Sequence, residues 1–187
     1  MKKYIPAVLL VVFAVFCRFL PHPANFAPIG AIAMFGALYL PKKWSIIIPL
    51  CAMLVSDIFI GLYNPAIMIM VYSGFLIMWF IGNRIKQKST SSADKFGKFS
   101  LVFGGTVLGS VIFFLLTNWA VWAFGHWYPS SLNGLWMSYL AAIPFFRNSL
   151  LGDLFFTSVF VIGFELLLFW QTKKQLQTST QTIRKIS

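Results

Sequence analysis

The sequence has 187 residues, of which 59% are hydrophobic and only 10% are charged. A soluble domain carries roughly 25% charged residues, and a chain of this length cannot bury so much apolar surface in one water-soluble core. The composition therefore excludes an ordinary soluble domain and predicts an all-α integral membrane protein. The net charge of +11 does not indicate a nucleic-acid partner, because the basic residues form short clusters between apolar runs.

The first apolar run, 4–20, follows two lysines in the manner of a secretory signal peptide. It has no small-residue cleavage site, and Phe16 before Cys17 argues against lipoprotein processing. We therefore interpret this run as a retained first transmembrane helix. Cys17 and Cys51 lie far apart in separate apolar runs, so the sequence predicts neither a disulfide nor a metal site.

The remaining apolar runs predict five more spans, since a helix needs about 20 apolar residues to cross the hydrocarbon core. These spans are expected at 25–40, 44–62, 66–85, 99–124 and 148–170. The run 135–145 is too short to span and is predicted as a re-entrant or surface helix before the last span. Residues 1–170 thus form one transmembrane domain of six helices, and 171–187 form a basic cytoplasmic tail.

The lysines and arginines give this arrangement a direction, because they concentrate on the cytoplasmic side of membrane proteins. With six spans and a cytoplasmic N-terminus, all but two of the 15 basic residues lie on the inner side. The exceptions are Arg18 and Arg147. We therefore expect both termini to be cytoplasmic and the protein to lie in a bacterial cytoplasmic (inner) membrane.

Polar residues at membrane depth point to a site, because each charge near the bilayer centre costs roughly 2.5–3.5 kcal/mol. The predicted topology collects almost all of them at the outer side, where an outward-facing pocket would bind a small molecule. The expected ligand-binding residues are Arg18, His22, Asn25, Asp57, Asn118, Trp122, Arg147, Asn148 and Asp153.

Structural interpretations of the same residues stay open. The two arginines could bind a carboxylate or phosphate, or they could pair with Asp57 and Asp153 to lock helices together. The tryptophans could stack on a flat ligand or form an interfacial aromatic belt. Glu165, near the inner side, is interpreted as a snorkelling or helix-packing residue, or as a contact to a partner subunit.

No catalytic signature is present in the sequence. It has no phosphate-binding loop with a lysine, no His-Glu-x-x-His zinc helix and no Gly-x-Ser-x-Gly elbow. We therefore expect no enzyme activity, catalytic residue, metal or cofactor.

Four segments carry a resemblance to a known family: LPHPANFAPIGA at 20–31, LVSDIFIG at 54–61, TNWAVW at 117–122 and PFFRNSLLGD at 144–153. They resemble an uncharacterised family of small bacterial membrane proteins, over nearly the whole chain to about Phe169. That family is similar to the S components of energy-coupling-factor transporters, in its size, its six spans, the proline and small residues that open the second helix, and a Ser-Asp pair near the end of the third.

The resemblance implies a function. S components bind a vitamin or related micronutrient in an outward-facing pocket and work with a transmembrane coupling subunit and two ATPases. The resemblance also implies a set of pocket residues: Arg18, Asp57, Asn118, Arg147 and Asp153. A cobalamin-like ligand is one candidate, because one cobalamin-binding S component places a cysteine on cobalt and Cys17 or Cys51 could be compared with that cysteine.

Two other classes remain as alternatives. A membrane scaffold or accessory protein predicts bonded Arg–Asp pairs and no cavity. An intramembrane enzyme acting on a lipid-like substrate predicts a pocket open sideways to lipid, with a carboxylate near a nucleophile. A transporter subunit predicts a closed, ligand-sized pocket under the outer loops.

Overall fold

The computed structural model describes residues 23–89 and 95–186, together with the isolated helical positions 5, 9, 12 and 16. These residues form helices and loops without any strand. The five helices are α1 (Ile29–Tyr39), α2 (Lys42–Ile60), α3 (Pro65–Ser89), α4 (Lys95–Phe124) and α5 (Leu132–Ile186). Helices α2 to α5 are long and apolar enough to cross a membrane. The predicted all-α architecture is confirmed for the described residues, and the four long helices suit a membrane protein by length and composition.

Six spans are not supported. The predicted first span, 4–20, lies outside the described residues apart from four helical positions. The predicted second span is the 11-residue helix α1, which at 1.5 Å per residue is about 16 Å long and too short to cross the hydrocarbon core. Prolines set its limits, because Pro28 precedes its first residue and Pro41 separates it from α2.

The predicted re-entrant helix at 135–145 is not a separate element. Helix α5 runs as one helix of 55 residues that includes this run, the predicted last span and the backbone of the tail to Ile186. Pro144 lies inside it and is tolerated. The sequence between 145 and 148 is Phe-Phe-Arg-Asn, which has no glycine to end a helix, so nothing there forces a turn.

Helix α1 occupies the centre of the bundle rather than its lipid-facing surface. Every residue from Ile29 to Leu38 is buried. It packs against α2, α3 and α5, and α4 covers α3 and α5 from the other side. Close approach of α3 to α1 depends on Gly82, since a side chain there would lie 2.8 Å from the Ala37 Cβ.

The outer surfaces of the long helices are apolar and exposed. On α5, for example, Leu151, Phe155 and Val159 are each about half exposed and follow one another at four-residue spacing. A continuous apolar stripe of this kind is unfavourable in water and suits contact with lipid chains.

Candidate functional site

The bundle has two chemically different ends. One, the basic end, holds the start of α2, the end of α3 and the start of α4, where most described lysines and arginines lie. Two of these residues are tied into the bundle. Lys86 Nζ donates to the Leu40 carbonyl at 3.1 Å, and Lys98 Nζ lies 2.7 Å from Glu165 Oε1.

Glu165 is a packing residue at that basic end. Its Oε1 also accepts the Tyr39 hydroxyl at 2.8 Å, and the Lys98 ammonium lies 4.9 Å from the centre of the Tyr39 ring. One carboxylate on α5 therefore joins the end of α1 to the start of α4. These contacts give Glu165 the helix-packing role that the sequence suggested.

The other end, the loop end, contains a cavity of about 350 Å³. Small-molecule sites occupy about 300–1,000 Å³, so this loop-end cavity has room for a small ligand. It lies below the loops 23–28 and 61–64, between the first half of α3, the second half of α4 and the first half of α5. Its polar lining includes Asn25, Tyr63, Thr117, Asn118, Ser149 and Asp153.

Aromatic rings form a large part of the apolar cavity wall. Two ring pairs line it, one from Phe75 and Phe113 with centroids 4.9 Å apart, the other from Phe114 and Phe146 with centroids 4.6 Å apart. Met78 lies beside them in the same wall. Such a wall favours apolar or flat groups of a ligand.

Asp153 supplies the only acidic side chain among the described residues of the lining. It is 6% exposed, and its carboxylate accepts the Ser110 hydroxyl at 2.7 Å and the backbone N–H of Ala31. Ala31 is in the first turn of α1, which has no side-chain cap of its own because Pro28 occupies the N-cap position. Asp153 thus caps α1 from a distant helix, where the unpaired N–H groups and the helix dipole both favour an anion.

Gly30 makes this cap possible. A Cβ at Gly30 would overlap the Asp153 carboxyl group, so only glycine allows the carboxylate to approach the first turn of α1. Thr157, which lies one turn after Asp153 on α5, is not its partner. The buried Thr157 hydroxyl has no hydrogen-bond partner among the described residues.

Thr117 and Asn118 present acceptors to the cavity. The Thr117 hydroxyl donates to the Phe113 carbonyl at 2.8 Å, and Asn118 Nδ2 donates to the Phe114 carbonyl at 2.7 Å. Both donations go back to the preceding turn of α4. The Thr117 oxygen and Asn118 Oδ1 are therefore left to accept a hydrogen bond, and the second Nδ2 hydrogen of Asn118 is left to donate one.

Asn25 reaches the cavity from the loop before α1. Its φ of 63° is a left-handed conformation that asparagine tolerates better than most residues. The turn around it is closed by the Phe26 N–H, which donates to the Pro23 carbonyl at 2.9 Å. The loop is thus a defined turn from which the exposed Asn25 lines the cavity.

Three of the nine predicted ligand-binding residues therefore line one cavity: Asn25, Asn118 and Asp153. Arg18 and His22 lie outside the described residues. The other four lie elsewhere than in the cavity lining: Asp57, Trp122, Arg147 and Asn148.

Three of those four residues make structural contacts. Asp57 is buried and accepts the Tyr72 hydroxyl at 2.9 Å, which links α2 to α3. Trp122 Nε1 donates to the Pro129 carbonyl at 3.0 Å, and Asn148 Nδ2 donates to the Ala24 carbonyl at 3.0 Å. Arg147 is exposed, and among the described residues it forms no ion pair with Asp153.

Sequence reasoning missed the phenylalanines of the cavity and looked to tryptophans instead. Trp119, Trp127 and Trp136 are between 38% and 73% exposed and none lines the cavity, which fits an aromatic belt. A usable signal was the spacing of Phe113 and Phe114 one turn before Thr117 and Asn118, since residues four apart share a helix face.

The described residues give no support for a metal site, a cysteine in the cavity or a positively charged cavity. They contain no group of three or more histidine, cysteine or acidic residues that could hold a metal. Cys51 is a free, exposed thiol on α2 that does not line the cavity, while Cys17 lies outside the described residues. No lysine, arginine or histidine of the described part lines the cavity either.

The fold and the site together define a class: a membrane-type helical bundle with a ligand-sized cavity at one end and its positive charge at the other. Within that class, the chain belongs to a family of unknown function, DUF6580, whose model matches residues 1–178. Comparison with characterised proteins and with solved structures gave no match.

Proposed function

We propose that this protein is a membrane-embedded substrate-binding subunit, similar to the S components of energy-coupling-factor transporters, for uptake of a vitamin or related micronutrient. The observation that carries the proposal is the loop-end cavity of about 350 Å³, with an aromatic wall and a few converging polar groups. A mostly apolar pocket with few polar groups is the usual form of a small-molecule site.

Charge supports an outward-facing orientation of this cavity. Positive residues favour the cytoplasmic side, and the basic end of the bundle lies opposite the loop end. The cavity would then open to the outside of a bacterial cytoplasmic membrane. In this proposal both termini are cytoplasmic, and anionic lipid headgroups contact the lysines and arginines of the basic end.

The scaffold alternative receives less support. It requires arginine–aspartate pairs in place of a cavity, whereas Asp153 uses Ser110 and Ala31 and the cavity is present. Asp57, which accepts Tyr72, is the residue that best fits a purely structural role.

The enzyme alternative rests on Ser110, whose hydroxyl lies 2.7 Å from the Asp153 carboxylate. Ser110 is only 1% exposed and does not line the cavity. A nucleophile must reach its substrate, so this pair suits helix packing better than catalysis.

Mass spectrometry of small molecules that co-purify with the full chain in detergent tests the proposal. We expect one compound to be enriched with the wild-type protein and lost from Asn118→Ala. The matched control is Asn148→Ala, which removes an asparagine of the same end that does not line the cavity.

Uptake of the enriched compound into cells that express the protein is the second measurement. We expect uptake to follow the same order, with Asn148→Ala active and Asn118→Ala impaired. The absence of any enriched compound, or equal behaviour of the two variants, would overturn the proposal. Dependence of uptake on a coupling subunit and its ATPases would identify the partners.

A further inference from the structure

The chemistry of the loop-end cavity restricts its ligand, provided that the cavity is the binding site proposed above. Its polar side chains differ in the hydrogen-bond acceptors and donors that they present to a ligand. Asp153 has a carboxylate with about four acceptor positions, of which Ser110 and Ala31 use two. Thr117 directs its hydroxyl hydrogen to its own helix and keeps an acceptor for the cavity, whereas Asn118 directs one of its two N–H groups there and keeps Oδ1 and the other N–H.

The remaining polar side chains of the cavity can act as hydrogen-bond donors or as acceptors. Asn25, Ser149 and Tyr63 line the cavity, and their side chains can donate or accept a hydrogen bond. Positive side chains are missing from the described part of the lining, so a ligand carboxylate or phosphate would meet Asp153 without a compensating charge there. A ligand anion in such a desolvated site would lose its hydration without gaining a positive partner, which is costly.

The aromatic side chains of the cavity wall restrict the shape of the ligand. The Phe75–Phe113 and Phe114–Phe146 pairs leave flat ring faces and edges along the cavity, and Met78 adds a polarizable contact. Aromatic faces also attract cations. A volume of about 350 Å³ suits one or two fused rings with a short substituent.

We infer that the loop-end cavity binds a planar aromatic molecule whose substituents are hydrogen-bond donors or a positive charge, in preference to carboxylates and phosphates. The acceptors of Asp153, Asn118 and Thr117 receive the donors, and the phenylalanine pairs hold the ring.

Three probes of nearly equal size test the charge preference: tryptamine (cationic), tryptophol (neutral with a hydroxyl donor) and indole-3-acetate (anionic). Their dissociation constants are measured with the full-length protein in a non-ionic detergent by equilibrium dialysis. We expect tryptamine and tryptophol to bind at least about tenfold more tightly than indole-3-acetate, the size of effect expected for an uncompensated charge. The protein's own charge of +11 attracts the anion at long range, so this order has to come from the cavity.

A pair of matched variants locates the effect. Thr117→Val removes a cavity acceptor with little change of shape, and we expect it to weaken tryptamine and tryptophol about three- to tenfold. Thr157→Val changes a buried threonine that does not line the cavity, and we expect it to leave both constants unchanged.

Indole-3-acetate binding as tightly as tryptamine would overturn the inference, and so would the failure of all three probes to bind. The proposed function fails separately. If an anionic compound co-purifies and is taken up, the inference is wrong and the transport function stands. If tryptamine binds but no compound co-purifies or is taken up, the cavity chemistry stands and the transport function is wrong.

Discussion

Helix α5 places one carboxylate at each end of the buried helix α1, and the two serve it differently. Glu165, whose side chain is 39% exposed, meets a cation and a hydroxyl at the basic end. Asp153, which is 6% exposed, meets a serine and a backbone N–H at the loop end, where a cavity lies beside it. A partly exposed ion pair closes one end, whereas neutral donors leave acceptor capacity on Asp153 at the other.

The comparison predicts that the loop end is the more sensitive of the two. Asp153→Ala would leave the Ser110 hydroxyl and the Ala31 N–H buried without their acceptor, so we expect a loss of about 3 kcal/mol in the free energy of unfolding. Asp153→Asn keeps one acceptor and should lose less. Unfolding in detergent followed by circular dichroism measures both, and a smaller loss for alanine than for asparagine would refute the capping role.

Gly30→Ala tests the same cap from the side of α1. The new methyl group would occupy the space of the Asp153 carboxyl group, and we expect a loss of about 2 kcal/mol through overpacking. Gly163→Ala on α5 is the control, because nothing lies within 4 Å of a Cβ at that position. Equal midpoints for the two variants in the same unfolding assay would show that Asp153 does not lie against α1.

The smallest effect is expected at the basic end. Lys98→Ala removes an ion pair whose partners are 29% and 39% exposed, and pairs of this kind contribute about 0.5 kcal/mol. High salt should reduce the difference between variant and wild type, since screening already weakens the pair. Lys173→Ala, at an exposed position, serves as the control for loss of charge alone. A loss as large as that of Asp153→Ala would reverse the ranking of the two ends.

The sequence predicted the long helices well where prolines and lysines bracket an apolar run. The predicted spans 44–62, 66–85 and 99–124 correspond to α2, α3 and α4 within about four residues at each end. Helix α1 was harder, because hydropathy measures apolar content and does not distinguish contact with lipid from contact with protein. The 25–40 run is apolar because it forms the centre of the bundle.

The site was predictable only in part, for a related reason. The membrane depth predicted for each residue grouped Asn25, Asn118 and Asp153 at one end of the bundle. The structure places all three around one cavity. Depth does not say which way a side chain faces, so Arg147 and Asn148 shared that depth without reaching the cavity. The aromatic wall was hard to single out, since 21 phenylalanines are spread along the chain and only the position of Phe113 and Phe114 one turn before Thr117 and Asn118 indicated it.

The double attachment of α1 to α5 has a mechanical consequence for the cavity. Asp153 holds the first turn of α1 and accepts Ser110 of α4, while Glu165 holds the last residue of α1 and meets Lys98 of α4. Helices α1, α4 and α5 are therefore joined at both ends of α1. None of these contacts comes from α3, whose first half lines the cavity. Any movement that admits or releases a ligand would therefore come from α3 and the loop at 23–28, with α1, α4 and α5 acting as the fixed frame.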